Sequence, residues 1–284
     1  MNAVLDAFWR SVAYCLHPKV ILWSFLPLVL MVGVTAGLGY FYLDSLLSQV
    51  NLLLESMDWL QMLWSWLESM GAGKLKTVLV PLLVILVLTP LVVVACLLVV
   101  ATLMTPMLVR LVAQRRFPLL DKQGSGSFLL SAGWALGSTV AALFALVVSL
   151  PLWLIPPLVL VIPPLIWGWL TYRVMAFDAL SDFASRAERQ ELFKRYRWPL
   201  LAMGVFAGYL GAAPSLVWSF GFVAVALAPI LVPVSIWLYT LLFAFSSLWF
   251  THFGLKALQD LRAEQVAAAV VPDLPLNVVD VEIL

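Results

Sequence analysis

Few residues in this chain could do chemistry. Its 284 residues hold two histidines and two cysteines, and the spacings of HExxH, GxSxG, a phosphate-binding loop or paired intramembrane acids do not occur. Cys15 and Cys96 sit in or beside apolar stretches, without a partner at metal-ligand spacing. They read as small buried hydrophobes. His252 stands near the end of a long apolar run, where packing outweighs a catalytic role. An enzyme is not expected, and neither a metal nor a cofactor is called for.

The chemistry that remains is that of holding an anion. Lys19 and Arg173 are cations at the edges of apolar runs, and Arg186, Arg189, Lys194, Arg195 and Arg197 form a basic segment. Such groups raise the local concentration of anions. A helix beginning after proline also presents backbone N–H groups and a partial positive charge at its start. The turn at Pro156 and Pro157, and the break Gly211 to Ser215, are therefore expected to supply backbone-lined contacts, with Ser215 the named residue of the second. Proton relays need Asp, Glu or His within the spans. The chain offers almost none, so a passive path, or one coupled by other means, fits better than a proton pump.

The elements that must carry these residues follow from composition. Hydrophobic residues make up 64%, charged residues 11%, and mean hydropathy is +1.05, against about 45–50% apolar and 25% charged in soluble domains. The fold class is all-α, a multi-pass transmembrane protein with two long spans and two proline-broken helical hairpins. A net charge of +1 points to no nucleic-acid partner; the partner is the lipid bilayer.

Residues 1–16 read as an interfacial helix with Val4, Leu5, Phe8, Trp9, Val12 and Leu16 on one face and Asp6 and Arg10 on another. This pattern, without a small-residue cleavage site, is not a signal peptide, so the mature chain is expected to start at or near Met1. Residues 20–43 form the first span. Residues 44–70 form an amphipathic extracytoplasmic helix whose acidic outer face suits either the outer leaflet or a partner subunit. The second span is 77–109, 33 residues without a charge, followed by hairpins at 128–175 and 198–256. Five prolines break the stretch from Leu150 to Asp178, leaving a short second arm in the first hairpin. Between the hairpins, 176–197 is a polar segment with Ser185 and Glu188 at capping-box spacing. Residues 259–284 are read as a mobile tail. With both termini and both polar loops in the cytoplasm, only Lys74 and Lys76 of 16 Lys and Arg lie outside, as positive-inside bias requires.

The segments HPKVILWSFLP from His17, TPMLVRLVAQRRFP from Thr105, LIPPLVLVIPPLIWGWLTYRVMAFDALS from Leu154, ERQELFKRYRWPLL from Glu188 and GAAPS from Gly211 resemble the etoposide-induced-protein-like family of bacterial membrane proteins, which includes the CysZ sulfate permeases. The resemblance implies an inner-membrane protein with partly penetrating hairpins, a homo-oligomeric assembly, and uptake of a small inorganic anion, sulfate. It also marks a departure: the permeases carry an arginine pair shortly after the proline that matches Pro18, and Ile21 and Leu22 stand there in this chain. Lys19 is the nearest cation, a point charge without arginine's two-pronged fork. The alternative is a non-transporting scaffold that binds partners through the 44–70 helix and the tail.

Overall fold

A computed structural model describes residues 2–56, 61–62, 65–66, 69–70, 74–124, 126–212 and 227–270. These residues are almost wholly helical, with no strand among them. The helices are α1 (Asn2–Cys15), α2 (Pro18–Ser24), α3 (Leu26–Glu55), α4 (Lys74–Arg116), α5 (Phe128–Ser149), α6 (Pro156–Leu180), α7 (Arg186–Arg195), α8 (Arg197–Ala212) and α9 (Ala228–Val270). Among the described residues, five stretches are long and apolar enough to cross a membrane: Pro18–Leu53, Val80–Arg116, Leu129–Leu154, Leu160–Leu180 and Ile230–Ala268. The chain is a multi-helix membrane protein.

Helix α9 is the axis of the fold, packing against α1, α2, α3, α4, α6, α7 and α8. Two apolar clusters close around it. One joins Met104, Leu108 and Val112 of α4 to Leu248, Leu255 and Leu258 of α9, with Leu180 and Leu192. The other holds Ala7, Met203, Phe250 and Phe253. Both lie toward the end that carries the polar loops, whereas Val29, Leu86, Leu91, Leu143 and Leu160 face outward. That exposure suits hydrocarbon surroundings, where apolar surface carries no penalty.

Local chemistry sets most of the helix ends. The His17 ring accepts the Lys19 N–H at 3.2 Å and Pro18 opens α2, where a missing N–H costs nothing. Pro27 sits in the first turn of α3 and separates it from α2 at Phe25. Ser185 and Glu188 form the expected capping box, with bonds of 3.3 and 2.7 Å.

The structure corrects several boundaries. Helix α3 runs through Asp44 to Glu55, so the first span and the start of the 44–70 helix are one element; nothing near Asp44 denies the backbone its hydrogen bonds. Much of 57–73 lies outside the described residues. The Pro-rich stretch breaks only at Ile155, after a short 3-10 turn (Leu150–Leu154), while Pro163 and Pro164 lie inside α6. The second arm thus has 25 residues, about 37 Å at 1.5 Å per residue, and is not short. Helix α9 continues past Leu258 to Val270 with Leu261 buried; the tail from 271 lies outside the described residues. On α1 the expected apolar stripe divides. Phe8 packs against Phe245 and Trp249 and Trp249 donates to the Val4 carbonyl, but Leu5, Trp9 and Leu16 stay exposed.

Two glycine sites are set by close approach. A Cβ on Gly168 of α6 would meet the backbone of Val205, and one on Gly204 of α8 would meet the Gly168 carbonyl, so these helices cross backbone to backbone. Gly126 has φ +53 in a loop whose N–H groups at Gln123, Gly124 and Gly126 donate to the carbonyls of Phe183, Asp182 and Ser181.

Candidate functional site

Lys19 stands in the first turn of α2. It lines a cleft of about 280 Å³ between α2 and the C-terminal half of α4, together with Trp23, Pro106, Arg110 and Gln114. The polar lining consists of an ammonium, a guanidinium and an amide, and no acid lines the cleft. Arg110 and Gln114 are four apart and so share one face of α4. All three polar residues are exposed, which keeps the cations hydrated until an anion arrives.

The position of Lys19 is fixed from behind. Ser24, fully buried at the end of α2, accepts Trp237 Nε1–H at 2.8 Å and donates to the Ile21 carbonyl at 2.6 Å. Phe25 stacks on Trp237 with centroids 5.5 Å apart and planes at 13°. These contacts pin the short α2 to α9, so Lys19 faces α4. The cleft holds no nucleophile with a base beside it. What it can do is bind an oxyanion by charge-assisted hydrogen bonds.

The other expected site residues go elsewhere. Arg173 lies over Trp134 at 4.1 Å and near Trp169 at 5.3 Å, and its carbonyl accepts the Trp134 N–H at 3.0 Å. It does not line the cleft. Pro156 and Pro157 open α6 but have no N–H to offer. The neighbouring donors are already engaged, Ile155 N–H with the Leu152 carbonyl and Leu158 N–H with the Ile155 carbonyl. Neither proline, nor the N–H of Ile155 or Leu158, offers a free donor at that turn. Ser215 lies outside the described residues. Arg110 and Gln114 were missed by sequence reasoning, although Arg110 is the first charge after the long neutral run from Thr77.

The basic segment is also less uniform than its sequence. Arg195 is bonded twice to Glu264, at 2.5 and 2.9 Å, and Arg189 is buried over Phe177 at 4.2 Å. His252 is fully buried; its Nδ1 lies 3.2 Å from Arg116 and its ring meets Tyr14 edge-on at 4.7 Å. Arg116 also binds Asp6 at 2.9 Å. The Arg10 guanidinium, with Arg116 beyond it, holds the Asp6 carboxyl below the usual carboxylate range. Burial pushes the Cys15 thiol up to about 12, so it carries no thiolate at neutral pH. A second cavity, of about 580 Å³, lies among α4, α6, α8 and α9 and is mainly apolar. Its hydroxyls at Thr171, Thr240 and Ser246 each bond to the carbonyl four residues back.

Compared with protein families, residues 7–221 match the one described as Sulfate transporter CysZ/Etoposide-induced protein 2.4. No curated protein and no solved structure matches the chain.

Proposed function

We propose, from the premise that this chain belongs to the sulfate transporter CysZ/etoposide-induced protein 2.4 family, that it moves a small inorganic oxyanion across a bilayer, with sulfate the foremost substrate. The single observation that supports the reading is the cleft in which Lys19, Arg110 and Gln114 converge without an acid. Positive potential in a low-dielectric cleft concentrates anions at its mouth. Arg110 supplies the fork that suits an oxyanion and Lys19 the compact charge. Arg110 thus offers from α4 the guanidinium chemistry that Ile21 and Leu22 cannot provide from α2. The protein is a conduit and not an enzyme. It lies in the bacterial inner membrane with its termini in the cytoplasm, where 14 of its 16 Lys and Arg would then sit, all but Lys74 and Lys76. It acts as a homo-oligomer.

The test is radiolabelled sulfate flux into proteoliposomes, with chloride and phosphate as competitors and empty vesicles as control. Protein-dependent entry is expected. Arg110→Ala and Lys19→Ala each remove a charged hydrogen bond of about 1.5–3 kcal/mol, so each should weaken sulfate use by about tenfold or more, while Lys19→Arg should retain it. Absence of anion entry with folded protein would shift the assignment to the non-transporting scaffold that binds partners through residues 44–70 and the tail.

A further inference from the structure

The first hairpin and the polar helix α7 that follows it carry two guanidinium groups whose bonding is incomplete. Arg173 on α6 stacks on Trp134 of α5, Trp134 stacks on Phe177 of α6 with centroids 4.9 Å apart and planes at 19°, and Arg189 of α7 stacks on Phe177. The four side chains form one column that ties α5, α6 and α7 together. Cation–π attraction accounts for the flat faces of the two arginines. It leaves their N–H edges unexplained.

Among the described residues, neither arginine is in an ion pair or side-chain hydrogen bond with the protein. Arg173 Nε and Arg189 Nη1 are buried without an acceptor, and Arg189 is only 8% exposed. Nearby acids are engaged elsewhere. Glu188 is held by Arg262 at 2.7 Å and Asp178 by the Ser131 hydroxyl. A buried, uncompensated guanidinium is expensive unless something supplies the missing charge and acceptors.

The depth of the column identifies the supplier. Trp134 lies five residues into the apolar stretch that begins at Leu129, Arg173 lies seven residues before Leu180, where the α6 stretch ends, and Arg189 lies beyond it on polar α7. The column thus sits toward the polar ends of two apolar stretches, where a membrane boundary is expected; tryptophan collects at such boundaries, and lipid phosphates are found there. Helix α7 also exposes Arg186 and Lys194, which no ion pair neutralises among the described residues, and such cations favour an anionic headgroup. Leu136 and Val140, on the opposite face of α5 from Trp134, stay 67% and 59% exposed, so the helix that carries the column also faces hydrocarbon.

We propose that this column binds the phosphate of an anionic phospholipid. Arg173, which is only partly buried, donates to the phosphate from the bilayer side. Arg189, behind the aromatic pair, contributes the second charge that favours anionic over zwitterionic headgroups. The site is separate from the Lys19 and Arg110 cleft, which none of these residues lines.

Purified full-length protein in detergent would be titrated with phosphatidylglycerol or phosphatidylcholine of identical acyl chains, following thermal unfolding. Inorganic phosphate and glycerol 3-phosphate form parallel arms. Phosphatidylglycerol should raise the Tm at least twice as far as phosphatidylcholine, and the two water-soluble phosphates should not reproduce the shift at equal concentration. Arg173→Gln should need about tenfold more phosphatidylglycerol for the same shift, and Arg173→Lys should stay close to the natural protein. Equal responses to the two lipids, an unchanged response in Arg173→Gln, or the same shift from free phosphate would overturn the proposal. Should Arg173→Gln not fold, the lipid carried by the natural protein decides: anionic lipid enriched over the host membrane supports the site, and no enrichment overturns it. None of these readouts depends on sulfate flux.

Discussion

Arg262→Ala should be among the most destabilising single changes in the polar region. The guanidinium donates to both Glu188 oxygens, at 2.7 and 3.2 Å, to the Phe183 carbonyl at 2.8 Å and to the Asp121 carbonyl at 2.9 Å. It thereby holds α9, α7 and both polar loops with one side chain. The pair is largely dry, with side-chain exposures of 17% for Arg262 and 9% for Glu188. Removing one partner of such a pair costs about 3–5 kcal/mol, most of it the stranded charge. That is a third or more of the stability of many domains. The sign of a second change separates stranded charge from lost packing. Arg262→Ala with Glu188→Gln should be more stable than Arg262→Ala alone, because a neutral amide is cheaper to leave unpaired and can still accept the Ser185 N–H. A pH series adds an independent check. Arg262, then the Ser185 N–H and hydroxyl, hold the Glu188 carboxyl below its ordinary value against the opposing pull of burial. The associated stability is therefore present above about pH 4.3, the ordinary glutamate value, and is lost as pH falls through the lower folded value. Thermal unfolding in detergent should show the gap between natural protein and Arg262→Ala in full at pH 7 and narrowing below pH 4. A gap under about 1 kcal/mol at pH 7, or a double variant less stable than the single one, would refute the stranded-charge argument.

Three further outcomes follow from the geometry. Gly168→Ala and Gly204→Ala each force α6 and α8 apart and should cost about 1–3 kcal/mol, whereas Gly33→Ala and Gly37→Ala point into open space and should leave the Tm unchanged or slightly raised; thermal unfolding of the four variants decides. Pro156→Ala and Pro157→Ala should leave sulfate flux within about twofold of the natural protein, since the Ile155 and Leu158 N–H groups of that turn are bonded to backbone carbonyls, and a tenfold loss would place the turn in the pathway. A chain ending at Leu258 loses Leu261, Arg262 and Glu264, which pack or pair with the rest of the fold, and should be markedly less stable than the natural protein in the same assay.

What the sequence disclosed depended on the range of the interaction. The capping box at Ser185 and Glu188 was legible because both its bonds close within four residues. The start of α2 was legible for the same reason, since His17, Pro18 and Lys19 carry its geometry among themselves. The prolines misled because each was counted as a break. In hydrocarbon an interrupted helix must find partners for several backbone groups at once, whereas a proline held inside a helix forfeits one hydrogen bond and strains its turn. Pro163 and Pro164 accordingly stay within α6, and the break falls at Ile155, where two successive prolines open the next helix. Asp44 misled in a related way. A charge marks where a helix leaves lipid, but it does not end the helix. The tail beyond Leu258 looked soluble and free because what holds it is distant, Glu188 and Asp121 being 74 and 141 residues from Arg262.

The same distinction explains why the site was only half visible. Positive-inside bias accounts for cations gathering at one end of the chain, and a sequence shows that much. It does not show which of them will find an acid. In the folded protein Arg10 and Arg116 share Asp6, Arg195 takes Glu264, Lys256 takes Asp260 and Arg262 takes Glu188. Lys19 and Arg110, 91 positions apart, have no ion pair among the described residues and meet across one cleft. A chain with almost equal numbers of acids and bases, 15 and 16, could have neutralised them. Five other cations are matched to acids, whereas these two face each other unpaired, and that gives the cleft its positive potential.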